Sequence, residues 1–133
     1  MKFMMLMIPA GYETAEPGTM PPADAVEAMM KYNDELQKAG ILRDINGLHP
    51  PSMGARVSFA SGKPVVTDGP FAEAKEVVGG YWIIEVGSLQ EAIEWARKCP
   101  ARPNETIEIR QIMGDDDYPD EIRELVEKYP DMP

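Results

Sequence analysis

Two stretches of this chain, residues 2–8 (KFMMLMI) and 80–86 (GYWIIEV), are apolar at consecutive positions instead of alternate ones. A strand that is apolar on both faces must be covered on both faces, so each run belongs at the centre of a sheet. The remaining strand-like segments read as edges. Residues 105–113 set Ile107, Ile109 and Gln111 against Glu108, Arg110 and Ile112, and residues 41–48 suit a second edge strand that His49-Pro50-Pro51 ends.

Two helical patterns lie between these strands. Past Pro9, Gly11 and a loop rich in Pro, Gly and Glu, Val26, Met29, Met30, Asn33 and Leu36 recur at helical spacing. Asp24 and Glu27 stand near the start and Gly40 closes the helix. Ser88-Leu89-Gln90-Glu91 is a capping box opening a second helix. Its buried stripe is Leu89, Ala92, Ile93, Ala96 and Cys99, and Pro100 stops it. Between residues 55 and 68, a Ser61-Gly62 turn predicts a hairpin in which Ala60 faces Lys63, Ser58 faces Val65 and Arg56 faces Thr67. Asp68 then lies at the hairpin base.

The resulting order, β-α-β-hairpin-β-α-β, is that of an α+β, ferredoxin-like split βαβ fold with an added β-hairpin. It places both apolar runs at the sheet centre. Two helices cover only one face of such a sheet, while the central strands offer Met and Ile to both. The expectation is a homodimer that packs sheet against sheet as a dimeric α+β barrel. Beyond this domain, residues 1–113, an acidic C-terminal extension spans 114–133. Asp115-Asp116-Asp117 lacks the alternation, glycine and distal glutamate of a calcium loop and reads as a solvated turn. Ile122, Leu125, Val126 and Tyr129 then line one side of a short helix, read as docking on the domain.

Composition narrows the function. With 44% hydrophobic and 27% charged residues the chain is a soluble globular type. Its net charge of -10 opposes phosphate contact, which excludes nucleic acid and anionic membrane as partners. No run reaches the roughly 20 apolar residues of a membrane span, and residues 1–8 are too short for a signal peptide, so a cytoplasmic location is expected. Cys99 is the single cysteine and reads as a small buried hydrophobe; His49 is the single histidine, too few for a His-based zinc site. The ten methionines follow strand and helix periodicity as core filling. Gly79-Gly80 opens a strand and not a helix, so it forms no phosphate loop.

Several blocks resemble one family. Gly47-Leu48-His49-Pro50, residues 67–76 with Asp68-Gly69-Pro70-Phe71, Gly79-Gly80-Tyr81, Glu91-Ala92-Ile93-Glu94-Trp95 with Cys99-Pro100, and Ile107-Glu108-Ile109-Arg110 follow in order. Together they resemble the YCII-related superfamily and, within it, the DGPF-domain subgroup named for its Asp-Gly-Pro-Phe signature. The likeness covers nearly all of residues 1–113, and the 67–76 block is its specific part. It implies a dimeric α+β barrel with a cleft of enzymatic or ligand-binding use, but no defined reaction. Some relatives accompany extracytoplasmic-function sigma factors, which implies regulation by association only. Better-studied members of the superfamily pair a first-helix His with an Asp. Here that helix offers Met29 and Met30, so a His/Asp pair in this chain must be His49 with Asp68.

These two residues are the catalytic candidates. His49 precedes two prolines that fix an extended turn, and Asp68 returns to the same end of the hairpin. A carboxylate beside an imidazole fixes its tautomer and raises its basicity, giving a general base near neutral pH. Asp68-Gly69-Pro70 equally reads as a turn that caps a short helix starting at Pro70. Arg56 is placed to pair with Asp68 or to bind an anionic substrate. Phe71, Glu76 and Tyr81 complete the substrate-binding set; the polar segment with Lys75 and Glu76 reads first as a solvated face and alternatively as a cleft lining formed by Glu73 and Glu76. Tyr81 and Trp82 also read as dimer-face or core aromatics.

Two functions follow. The first is a small-molecule enzyme or ligand binder that uses the His49/Asp68 pair in a dimer-associated cleft, with no cofactor and no metal. The second is a non-catalytic accessory module whose acidic surface binds a protein such as a sigma factor. Enclosure of His49 and Asp68 separates them.

Overall fold

The structure is a computed structural model that describes residues 1–72 and 74–133. Its elements are β1 (Lys2–Ile8), α1 (Ala23–Lys38), β2 (Leu42–Gly47), β3 (Ala55–Ser58), β4 (Val65–Asp68), β5 (Gly80–Glu85), α2 (Leu89–Arg97), β6 (Thr106–Gln111) and α3 (Asp120–Glu127). Four strands form one sheet in the order β2-β5-β1-β6, and β3-β4 form a separate two-stranded sheet. Every pairing is antiparallel, with the two apolar runs, β1 and β5, side by side in the centre. The fold is ferredoxin-like α+β.

Register sorts each strand into two faces. Phe3 lies opposite Ile84 and Met5 opposite Trp82, and on the other flank Ile109 and Ile107 face Met5 and Met7. These residues form the core with Tyr32 and Leu36 of α1 and Ala92 of α2. Each fully buried side chain of this size contributes about 1.5–3 kcal/mol. Met4, Leu6, Ile8, Tyr81 and Ile83 point to the other face of the sheet and are only half-buried.

The inward line of α1 differs from the expected stripe. Met30 is 60% exposed and Val26 is 43% exposed, whereas Tyr32 and Leu36 are buried. The line runs through Met29, Tyr32 and Leu36 because the phenol can enter without leaving its hydroxyl unpaired. Tyr32 Oη donates to the Trp95 carbonyl at 2.7 Å, and its ring meets Trp82 edge-on at 5.7 Å. Trp82 Nε1 donates to Asn33 Oδ1 at 2.7 Å, so every polar atom of this aromatic pair has a partner. Burial pushes the Tyr32 phenol well above its ordinary pKa.

At α2, Ser88 Oγ accepts from the Glu91 N–H at 3.1 Å, as the capping box requires. The glutamate reaches one residue further back, to the Gly87 N–H at 3.0 Å. Leu89, assigned to the buried stripe, is 50% exposed, because it sits at the first helical position beside the cap and not over the sheet.

The hairpin has the expected register, Arg56 opposite Thr67 and Ser58 opposite Val65. Its turn sits one residue earlier, closed by the Gly62 N–H on the Phe59 carbonyl at 2.9 Å. No helix follows Pro70 among the described residues: the Ala74 N–H meets the Phe71 carbonyl in a single turn. Asp68 and Gly69 do not cap a helix because they are spent on the hairpin, Asp68 opposite Ala55 and the Gly69 N–H on the Gly54 carbonyl at 2.9 Å. The helix α3 forms, but it is not docked, since none of its residues is buried. Asp115–Asp117 is an exposed 3-10 turn in which Asp117 accepts from the Gly114 N–H at 2.7 Å.

Candidate functional site

Three loops gather at the end of β1 that carries Ile8, and the backbone ties them together. The Gly79 N–H donates to the Met7 carbonyl at 2.7 Å, and the Leu48 N–H to the Gly79 carbonyl at 2.9 Å. Tyr12 Oη, on the loop after β1, donates to the Leu48 carbonyl at 2.6 Å. The Gly79-Gly80 pair permits this convergence. A β-carbon on Gly79 would stand 2.5 Å from the Pro9 ring, and one on Gly80 would stand 2.9 Å from the Asn46 carbonyl oxygen.

His49 rides on the middle loop. The ring of Pro50 behind it is fully buried, and a 3-10 turn over Pro51–Met53 follows, so the backbone is anchored while the imidazole is exposed. Asp68 lies at the base of the hairpin, opposite Ala55, and is also exposed. The two supports meet at Gly69, where a β-carbon would stand 1.7 Å from the Pro51 carbonyl oxygen. His49 is two residues from one side of this contact and Asp68 one residue from the other. Among the described residues no hydrogen bond or ion pair joins them.

The remaining candidates fall into two groups. The Arg56 guanidinium lies 4.0 Å from the centroid of the Phe71 ring, a cation–π stack, and makes no ion pair with Asp68 among the described residues. The hairpin therefore brings two of the substrate-binding candidates together, on the face opposite to the one Asp68 shares with Ala55, Val57 and Val66. Tyr81 stands apart, on the open sheet face. Its hydroxyl donates to Asp44 Oδ2 at 3.0 Å and accepts from Asn46 Nδ2 at 2.9 Å. Glu76 is exposed on the irregular segment leading to β5, and Glu73 lies outside the described residues.

Three residues here escaped the sequence reading. Asp44 and Asn46 flank Ile45, an alternation that signals two polar side chains on one face of β2. Ser52 gave no signal beyond its place next to Pro51. Its Oγ is buried without a partner among the described residues, a donor that an incoming polar group could satisfy. Cys99 is half-buried, and burial, followed by the charge of Glu105, pushes its thiol up to about 11. A thiol held protonated is no nucleophile at neutral pH.

An open hollow of about 690 Å³ lies at the opposite end of β1, lined by Met1, Lys2 and residues 111–117. Its charged side chains are Lys2, Asp115, Asp116 and Asp117, and it includes neither His49 nor Asp68. Among the described residues no cluster of His, Cys, Asp and Glu could hold a metal ion, and no helix is long and apolar enough to cross a membrane.

Comparison with known proteins agrees with this architecture. An uncharacterised protein of Rhizobium meliloti (strain 1021) is 40% identical over 60 residues, which are 45% of this chain and 48% of that protein. The match thus spans about half the length of that relative. The model of the YCII-related domain matches residues 1–115, from the first residue of the chain to beyond the last strand of the sheet. The chain belongs to the YCII-related domain family.

Proposed function

We propose that this YCII-related protein, of the DGPF-domain subgroup, is a homodimer that binds a small polar or aromatic molecule beside the hairpin base and acts on it by acid–base chemistry. The observation that carries the reading is the contact of Gly69 with the Pro51 carbonyl, which seats the Asp68-bearing hairpin against the His49-bearing loop. His49 serves as the base that takes a proton from the ligand, and Asp68 orients or offsets the resulting imidazolium. Arg56, stacked on Phe71, supplies a fixed cation with an aromatic wall, suited to a carboxylate or an electron-rich ring. Glu76 and Tyr81 are the outlying members of the binding set. No cofactor is invoked.

Both catalytic candidates are exposed in the single chain, so the enclosure that acid–base chemistry needs must come from a second copy. The half-buried apolar face with Met4, Leu6 and Ile83 supports that copy, because a sheet face of this kind is seldom left to water. In this reading the functional unit is residues 1–113, residues 114–133 are an appended extension, and the protein is cytoplasmic. The second reading, an accessory module for a basic protein such as a sigma factor segment, is favoured by the net charge of -10 alone.

The test is a thermal-shift screen of small carboxylates and aromatics on the wild type, His49→Ala and Asp68→Asn. Ligands that raise the midpoint of the wild type and of neither variant support the site. Hits that stabilise all three proteins equally contradict it, as would the absence of any hit together with capture of a basic sigma-factor peptide.

A further inference from the structure

The register of the four-stranded sheet gives its open face a charge order. Read across the strands from β2 to β6, one row is Asp44, Ile83, Met4 and Arg110, and the next is Asn46, Tyr81, Leu6 and Glu108. One row the other way, Glu85 of β5 lies opposite Lys2 of β1. The acids Asp44 and Glu85 thus stand on the β2-β5 half and the bases Lys2 and Arg110 on the β1-β6 half, with Ile83 and Met4 between the edges. Such a face is complementary to itself.

Asp44 has no counter-charge within its own chain. Its carboxylate accepts from the Tyr81 hydroxyl at 3.0 Å and from the Ile45 N–H at 2.9 Å, and among the described residues no Lys or Arg pairs with it. At the other edge the Arg110 side chain is 74% exposed and reaches only Glu108, at 3.8 Å. Each can take a further partner. Three strand spacings, about 14 Å, separate the two columns, so neither can serve the other in one chain.

A second copy can lie on this face in two ways. A two-fold axis along the strands, between β5 and β1, sets β2 of one copy over β6 of the other and keeps every row at its own height. Asp44 then faces the partner's Arg110, Glu85 the partner's Lys2 and Ile83 the partner's Met4, each twice. Glu108 falls against the amide of the partner's Asn46. The sheet spacing of about 10 Å suits a long arginine against a short aspartate. An axis across the strands instead sets β2 over β2, whose one base, Arg43, is already held by Glu85 at 3.1 Å. Asp44 would then be closed into the interface without a cation, which is strongly unfavourable.

Resting on the homodimer reading above, we propose that the open faces of two copies pack about an axis along the strands and are held in register by reciprocal Asp44–Arg110 ion pairs. This axis does not reverse the strands end for end. The His49-bearing loops of both copies therefore lie at the same end of the dimer, and the two candidate sites are neighbours.

The experiment is a charge exchange in the full chain, read by sedimentation velocity over a concentration series. Asp44→Arg and Arg110→Asp, each alone, should raise the dimer dissociation constant about tenfold or more, because each sets like charges face to face at both edges. The two together should return it to within about threefold of wild type. Cross-linking gives an independent readout, which decides if Asp44→Arg disturbs folding. In a Cys99→Ala background, Asp44→Cys with Arg110→Cys should yield a covalent dimer with a short bismaleimide, and Arg110→Cys alone should not. Single exchanges without effect, a double exchange no better than the folded single ones, or a dimer without the cross-link overturns the pairing and leaves the homodimer standing. A monomeric wild type overturns both.

Discussion

Gly69 and Pro51 approach so closely that any side chain on Gly69 would overlap the proline carbonyl, 1.7 Å from where a β-carbon would stand. The glycine of the Asp-Gly-Pro-Phe block is thus a packing requirement at the joint between the hairpin and the His49 loop. Gly69→Ala should force the Pro51–Met53 turn off the hairpin base and lower stability by about 1–3 kcal/mol. Gly47, with nothing within 4 Å of its virtual β-carbon, is the control, and Gly47→Ala should change stability by no more than about 1 kcal/mol. Urea denaturation of the two variants checks this, and equal effects would contradict it.

The Asn33–Trp82 bond gives a second prediction. Asn33→Ala strands the indole N–H of a side chain that is only 4% exposed, at about 1–3 kcal/mol, the penalty for a buried donor without a partner. Met30→Ala, one turn earlier and 60% exposed, should fall within about 0.5 kcal/mol of wild type. Chemical denaturation with both variants side by side decides whether α1 faces inward through Tyr32 or through Met30.

Cys99 supplies a pH dependence. Its thiol rises from 9.0 to about 11 in the fold, so the folded state holds the proton more tightly than the unfolded chain does. The associated stabilisation is complete below pH 9 and is lost as the pH climbs from 9 to 11. The stability difference between wild type and Cys99→Ala should therefore shrink across that window and stay level below it. A difference that is constant to pH 11 would contradict the assignment.

Much of this fold was legible in the chain. The consecutive apolar residues of β1 and β5 demanded the centre of the sheet, and the hairpin register followed from the turn chemistry near Gly62, even though the turn itself moved by one residue. What escaped depends on partners distant in sequence. Tyr32 replaces Met30 in the core because Trp95, 63 residues away, accepts its hydroxyl proton. Among the described residues no helix follows Pro70, because Gly69 bonds to Gly54 instead of starting a new turn. The α3 stripe was read correctly as apolar, but periodicity names a face and not what covers it. At the site, Arg56 and Phe71 were both identified without any hint that they stack. The Asp44, Asn46 and Tyr81 network needed the pairing of β2 with β5 to become visible.

The proposed acid–base chemistry requires a second copy that covers the open face of the sheet and encloses His49 and Asp68. Sedimentation velocity on the wild-type chain at micromolar concentration tests it most directly. A single species of twice the 14.8 kDa chain mass is expected. A stable monomer of 14.8 kDa at that concentration would contradict it.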